Sequence, residues 1–202
     1  AIASSLSGVL PPEASAESIG DSIAKSGVLA RCSSREHSAS PELWISEMTF
    51  RIHALPWEDF SRYFQMSDAE LLAHGGLKRI VDKRPGFPCR VSLEDAHVGE
   101  RVLLINYEHQ SCASPFRSCH AIYVREHAET AKCELGQVPE LFRSRLMSVR
   151  AFDHEGMMVG ADVVEGRNLE ASIGRFLSGA AVHYLHLHYA KPGCYAAGVE
   201  GG

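Results

Sequence analysis

The sequence lacks the short motifs by which several large enzyme classes are identified. It contains no Gly-x-Gly-x-x-Gly, no Gly-x-x-x-x-Gly-Lys-Ser/Thr, no Gly-x-Ser-x-Gly and no His-Glu-x-x-His. Such motifs hold dinucleotide or nucleotide phosphates, expose a nucleophilic serine, or bind zinc on a helix. Their absence disfavours dinucleotide-dependent dehydrogenation, P-loop phosphoryl transfer, α/β-hydrolase chemistry and zincin proteolysis.

Long apolar runs and an excess of basic residues are also absent. No apolar run approaches the roughly 20 residues needed to cross a membrane. The 20 Lys and Arg residues are outnumbered by 25 Asp and Glu residues, which gives a net charge of −5. A protein with this balance offers no electrostatic footprint for nucleic acid, so neither nucleic acid nor a membrane is expected as a partner.

The cysteine pattern bears on the compartment. The six cysteines form no Cys-x-x-Cys pair, and the first lysine is Lys25, so the amino-terminal residues lack the basic head of a secretory signal. Reduced thiols are therefore expected rather than disulfides, and the predicted localisation is a bacterial-type cytoplasm. The oligomeric state is left open.

The chain consists of two regions that differ in composition and in the pattern of apolar residues. Residues 1–47 are rich in Ser and Ala and include a Pro-Pro pair, which predicts a poorly ordered or non-native N-terminal extension, with a docking tail as the alternative. From Met48 onward, short alternating segments are separated by turns and a few short helices. Residues 48–202 are therefore predicted to form a single α+β domain with a largely antiparallel sheet.

Several blocks of this second region resemble a bacterial family known as domain of unknown function 1203. The matching blocks are residues 50–52, 67–71, 85–93, 99–104, 120–126, 150–153, 186–188 and 192–194. The resemblance covers nearly all of residues 48–202 and none of residues 1–47. It implies membership of a group but assigns no activity, cofactor or catalytic residue.

Residues 183–194 hold the densest cluster of reactive side chains. Up to Pro192 the residues alternate as in a strand, which places Leu185 and Leu187 on one face and His186 and His188 on the other. Imidazoles two residues apart on a strand are separated by roughly 6.5–7 Å at their Cα atoms, which allows them to share one ion.

A third histidine on another predicted strand suggests a metal site. His120 lies in the apolar segment 116–126, and if that strand pairs with strand 182–190, its ring can meet His186 or His188. The metal-site hypothesis is therefore His120, His186 and His188, with zinc or iron as the candidate cofactor. The alternative is a structural network of histidine, tyrosine and arginine side chains without a metal.

Four further residues are candidates for catalysis. Cys89 precedes Arg90, whose charge would favour a nucleophilic thiolate, and Cys194 follows a Pro-Gly turn in the histidine-rich stretch. Arg90 and Arg117 are candidates for orienting a small anionic ligand. The alternatives are buried, unreactive cysteines and arginines that pair with surface glutamates.

Two functions from different classes remain open at this level. The first is a small-molecule enzyme with a histidine-rich, metal-bearing site on one sheet face. The second is a non-catalytic ligand-binding or interaction domain in which the same side chains form a polar network. The sequence favours the enzyme slightly, because its reactive residues concentrate at strand ends and Pro-Gly loops, where sites are usually built.

Overall fold

The computed structural model describes residues 49–202, and these residues form two antiparallel sheets with four short α-helices. The extension predicted for residues 1–47 lies outside the described residues. In chain order the elements are β1 (Phe50–His53), α1 (Glu58–Ser61), α2 (Asp68–Ala73), β2 (Gly76–Ile80), β3 (Arg101–Gln110), β4 (Ser118–Arg125), α3 (Glu140–Arg143), β5 (Leu146–Phe152), β6 (Met158–Glu165), α4 (Leu169–Leu177), β7 (Tyr184–Tyr189) and β8 (Tyr195–Gly201).

The strands divide between a five-stranded sheet and a three-stranded sheet. The larger sheet has the order β1-β8-β7-β5-β6, the smaller has the order β2-β3-β4, and all neighbouring strands are antiparallel. The predicted α+β class with largely antiparallel pairing is confirmed. The pairing considered between strands 116–126 and 182–190 does not occur, because β4 and β7 belong to different sheets.

The apolar face of β7 packs into the core of the larger sheet. Leu185 and Leu187 are fully buried, as predicted, in a cluster that includes Phe142 of α3 and Ile173 of α4. The wide apolar stripe of α4 lies over this face, as an amphipathic helix beside a half-apolar sheet requires. Burying one leucine side chain in this way contributes about 1.5–3 kcal/mol.

Helix α2 begins with a capping box. Ser67 accepts a hydrogen bond from the backbone N–H of Glu70, and the Glu70 carboxylate accepts one from the backbone N–H of Ser67. A serine followed three residues later by glutamate is a sequence pattern typical of such a box. Asn168 precedes α4 but does not cap it in this way, because α4 follows a short 3₁₀ turn and the Asn168 side chain makes no capping hydrogen bond.

The smaller sheet has its own core, and strand β8 joins it to the larger sheet. Its buried residues Ile105 and Ile122 pack with Phe60 of α1 and with Tyr195, which belongs to β8 of the larger sheet. The polar face of β7 lies next to β3 and β4, because the ring of His188 is 5.0 Å from that of His109 and 5.4 Å from that of His120.

The described residues contain unpaired cysteines and no membrane-spanning helix. Five cysteines, Cys89, Cys112, Cys119, Cys133 and Cys194, are free thiols in the described part of the chain. No helix between residues 49 and 202 is long and apolar enough to cross a membrane.

The two glycines Gly166 and Gly174 provide a test of this packing. A Cβ atom on Gly166 would overlap the carbonyl oxygen of Phe142, whereas a Cβ on Gly174 in α4 would meet no atom within 4 Å. We expect Gly166→Ala to lower the free energy of unfolding by at least about 2 kcal/mol, because backbone must shift. Gly174→Ala should raise it by about 0.5–1 kcal/mol, because alanine favours the helix. Urea unfolding followed by circular dichroism measures both, and equal effects would contradict the packing described.

Candidate functional site

His188 on β7 has an arrangement that is common among metal-binding histidines. Its side chain is fully buried, and its Nδ1 lies 3.0 Å from the carbonyl oxygen of Gly193. A carbonyl can only accept, so Nδ1 carries the proton and Nε2 keeps a free lone pair. Nε2 is buried and has no hydrogen-bond partner among the described residues. Ligating histidines commonly donate their second ring nitrogen to a carbonyl in this manner.

The turn between β7 and β8 fixes that hydrogen bond. Gly193 has a φ of 74°, a left-handed conformation that favours glycine, and its N–H donates to the carbonyl of Tyr189. The sequence Lys-Pro-Gly thus folds the chain back so that a turn carbonyl points at the ring of His188.

His109 and His120 come from the smaller sheet and lie together because of a β-bulge. Glu108 pairs with Cys119 and Gln110 pairs with Ser118, so His109 is the extra residue between two paired positions. The rings of His109 and His120 stack at a centroid distance of 4.7 Å, and His120 Nδ1 lies 2.7 Å from His109 Nε2. Bulges often redirect a side chain in this way next to functional sites.

The three histidines converge from the two sheets. One ligand atom from each of His109, His120 and His188 lies within 4.8 Å of the other two. Tetrahedral zinc with bonds of about 2.0–2.1 Å places its ligands about 3.3 Å apart, so modest ring movements would bring these atoms to metal distance. We refer to His109, His120 and His188 as the histidine triad.

His186 lies beside the triad but is not one of its three converging residues. Its ring centroid is 5.4 Å from that of His109 and 6.2 Å from that of His188. Of the three histidines predicted as ligands, the structure thus brings His120 and His188 together and groups them with His109, which is not one of the predicted ligands.

Burial keeps these imidazoles neutral. It lowers the pKa of His188 to about 2, of His109 to about 3 and of His186 to about 4. The positive charge of Arg150, on the neighbouring strand β5, lowers all three pKa values further. A neutral imidazole is the form that binds a metal ion, so positive charge on the rings does not block metal binding by the triad at neutral pH.

A cleft of about 820 Å³ adjoins the triad. Its volume lies in the range of sites for metabolite-sized ligands. Its wall includes His120, so one member of the triad borders the cleft. The other polar or charged wall residues include Arg90, Tyr123, Ser144, Arg145, Glu165, Tyr189, Lys191 and Cys194.

Two of the residues predicted for catalysis meet in this wall. Arg90 is only 1% exposed; its Nε donates to the carbonyl of Tyr195, and its Nη2 lies 2.9 Å from Cys194 Sγ. The third nitrogen, Nη1, donates to the carbonyl of Pro88. Arg90 and Cys194 thus form a hydrogen-bonded pair at the cleft.

The other two residues predicted for catalysis, Cys89 and Arg117, lie outside the wall of the cleft. Cys89 is fully buried, and its sulfur accepts hydrogen bonds from the backbone N–H groups of Val91, Ser92 and Arg125. Arg117 has a 62% exposed side chain and pairs with Glu108 at 2.5 Å. Neither residue lines the cleft or belongs to the triad.

His109, Tyr189 and Arg145 are not among the site residues that the sequence predicts. His109 lies on a strand that forms a hairpin with β4, but the bulge interrupts the alternation there, so the spacing alone does not place its ring beside that of His120. No local sequence pattern marks Tyr189 or Arg145 as a site residue, because each reaches the cleft only through the packing of β7 on the segment before β5.

Comparison with known proteins gives a family match. Residues 86–201 match the model of the family described as protein of unknown function (DUF1203). This range contains the histidine triad, Arg90 and Cys194. The chain matches no curated protein and no solved structure.

The depressed histidine pKa values predict a pH-dependent stability. Below the ordinary pKa of 6.5, the unfolded chain binds protons that folded His109, His186 and His188 do not bind. Stability that is present above pH 6.5 should therefore be lost as the pH falls towards about 4.

Urea unfolding of metal-free protein from about pH 7.5 to about pH 4.5 measures this slope. His188→Gln removes one of these groups and should flatten the slope, whereas His154→Gln, at an exposed position outside the triad, should retain it. Identical slopes in the two variants would show that burial of His188 does not govern the acid sensitivity.

Proposed function

Because the chain belongs to the DUF1203 family, whose function is unknown, we propose a function from the site itself: a small-molecule enzyme in which the histidine triad holds a divalent transition metal. The observation that carries the proposal is the buried Nε2 of His188, which keeps a lone pair without a partner among residues 49–202. An unpaired buried acceptor costs roughly 1–3 kcal/mol, and a metal ion would offset that cost.

Zinc is the metal that best fits three neutral imidazoles, and iron is the second candidate. Three protein ligands leave a coordination position for water or substrate, and a metal held in this way lowers the pKa of bound water or polarises a carbonyl or phosphoryl oxygen. His109 and His120 supply ligands from the smaller sheet, and His188 supplies one from the larger sheet. The site therefore depends on the packing of the two sheets.

The open position is proposed to face the cleft. His120 belongs to both the triad and the cleft wall, and it is the least buried of the three rings. A ligand in the cleft would meet the metal at this histidine. Among the wall residues within 49–202, Arg90, Arg145 and Lys191 outnumber the one acidic residue, Glu165, so a small anionic substrate is favoured.

A non-catalytic binding domain is the second candidate, and one observation favours it. The ring of His109 stacks on Tyr195 at 4.9 Å as well as on His120, with the 2.7 Å contact between the two imidazoles. These contacts satisfy part of the hydrogen-bonding capacity of His109 and His120 without a metal.

We also propose a reducing compartment, the bacterial-type cytoplasm. The free Cys194 thiol beside Arg90 supports this placement, because an accessible thiol next to a cation is readily oxidised outside reducing compartments.

Metal content tests the proposed centre directly. We expect full-length protein purified without a polyhistidine tag to contain one zinc or iron per chain by mass spectrometry. His109→Gln and His188→Gln should lose it, because each removes a ligand. His186→Gln should retain it, because that ring lies outside the converging group, and His154→Gln is the matched control.

Catalysis is tested with p-nitrophenyl acetate and p-nitrophenyl phosphate as probes. Hydrolysis that a chelator abolishes, that zinc restores and that His188→Gln lacks would support the enzyme. Stoichiometric metal without turnover of either probe would favour the binding domain. Equal metal contents in His188→Gln and His154→Gln would refute the triad as a metal site and leave a structural polar cluster.

A further inference from the structure

Arg90 is a buried cation without a carboxylate partner in the described part of the chain. It is 1% exposed, and its hydrogen bonds go to two carbonyl groups and one thiol. A buried charge that lacks a counter-charge is costly. We infer that Arg90 and Tyr189 form an oxyanion subsite, which binds a carboxylate or phosphate group of a small molecule in the cleft.

Two N–H donors of Arg90 have no acceptor among the described residues. A guanidinium has five N–H donors, and three of them are used, by the carbonyls of Tyr195 and Pro88 and by Cys194 Sγ. Nη1 and Nη2 each keep one further N–H. Two donors on neighbouring nitrogens match the two oxygens of a carboxylate or phosphate.

Tyr189 supplies the second observation at this place. It is 5% exposed, lines the cleft, and its hydroxyl is buried without a hydrogen-bond partner among residues 49–202. The guanidinium carbon of Arg90 lies 4.9 Å from the centre of its ring, and that of Arg145 lies 5.6 Å away. The Tyr189 ring thus lies close to both guanidinium groups, and a bound oxyanion would accept from its hydroxyl.

Arg145 differs from Arg90 in its charge balance. Its Nη2 pairs with Asp95 at 2.6 Å, and its Nη1 donates to the carbonyl of Leu141. The charge of Arg145 is therefore compensated within the protein, whereas that of Arg90 is not. Arg90 is accordingly the main anchor, and Arg145 contributes a contact with the Tyr189 ring.

The subsite defines the substrate class for the proposed metal centre, and to that extent it rests on the proposed function. His120 and Arg90 both line the same cleft. A substrate with its oxyanion on Arg90 would extend its reacting group towards His120. The cleft volume of about 820 Å³ limits it to a small molecule.

Anion binding by calorimetry tests the subsite, with inorganic phosphate and succinate as probes at constant ionic strength. We expect one-to-one binding of at least one probe to the full-length protein. Arg90→Met should weaken it roughly tenfold or more, because a charged hydrogen-bonding partner is lost. Tyr189→Phe, which removes only the hydroxyl, should weaken it severalfold. Arg117→Met is the matched control, because it removes an exposed arginine outside the cleft.

The same titration on His188→Gln separates the subsite from the metal. Retained binding there, with loss in Arg90→Met, supports the subsite even if the metal proposal fails. Lost binding in His188→Gln with normal binding in Arg90→Met would mean that the anion binds a metal, and would overturn the subsite. Equal affinities in Arg90→Met and Arg117→Met, or no binding of either probe to the wild type, would also overturn it. If Arg90→Met does not fold, unchanged binding in Tyr189→Phe counts against the proposal. Preference for phosphate or for succinate identifies the source of the oxyanion.

Discussion

Both faces of strand β7 are buried, and the rest of the structure depends on this constraint. The leucine face packs on α4 in the core of the larger sheet, which is ordinary for an antiparallel sheet covered by a helix. The histidine face lies against β3 and β4 of the smaller sheet and is equally hidden from water. Polar side chains are thus held in a place where desolvation keeps them neutral.

Neutral imidazoles favour a cation and a buried guanidinium favours an anion, and both kinds of group lie at this site. His188 and His109 are uncharged at neutral pH, and an uncharged imidazole keeps one ring nitrogen with a lone pair, so they favour a cation. Arg90, which lines the same cleft as His120, carries a charge that the described residues do not compensate with a carboxylate. A molecule with an electron-rich reacting group and an oxyanion would meet both requirements, which gives the metal proposal and the anion proposal one chemical basis.

Local patterns predicted the elements better than they predicted their partners. The alternation of residues 184–188, the Ser67–Glu70 cap and the antiparallel class follow from short-range sequence, because side-chain period and capping are local properties. The pairing considered for β4 with β7 was wrong. Their approach comes instead from packing between sheets, since β8 contributes Tyr195 to the core of the smaller sheet.

The sequence by itself determined that His186 and His188 share one strand face, that Leu185 and Leu187 are buried, and that Arg90 and Cys194 are reactive types beside turns. It could not select His109, because a single inserted residue at a bulge decides where that ring points. Nor could it distinguish the buried Arg90 from the exposed Arg117. Residues far apart in the chain decide whether an arginine is buried and whether it meets a carboxylate. Only the tertiary structure decided those distinctions, since sheet packing sets burial, and burial sets the charge and the unsatisfied hydrogen bonds of each side chain.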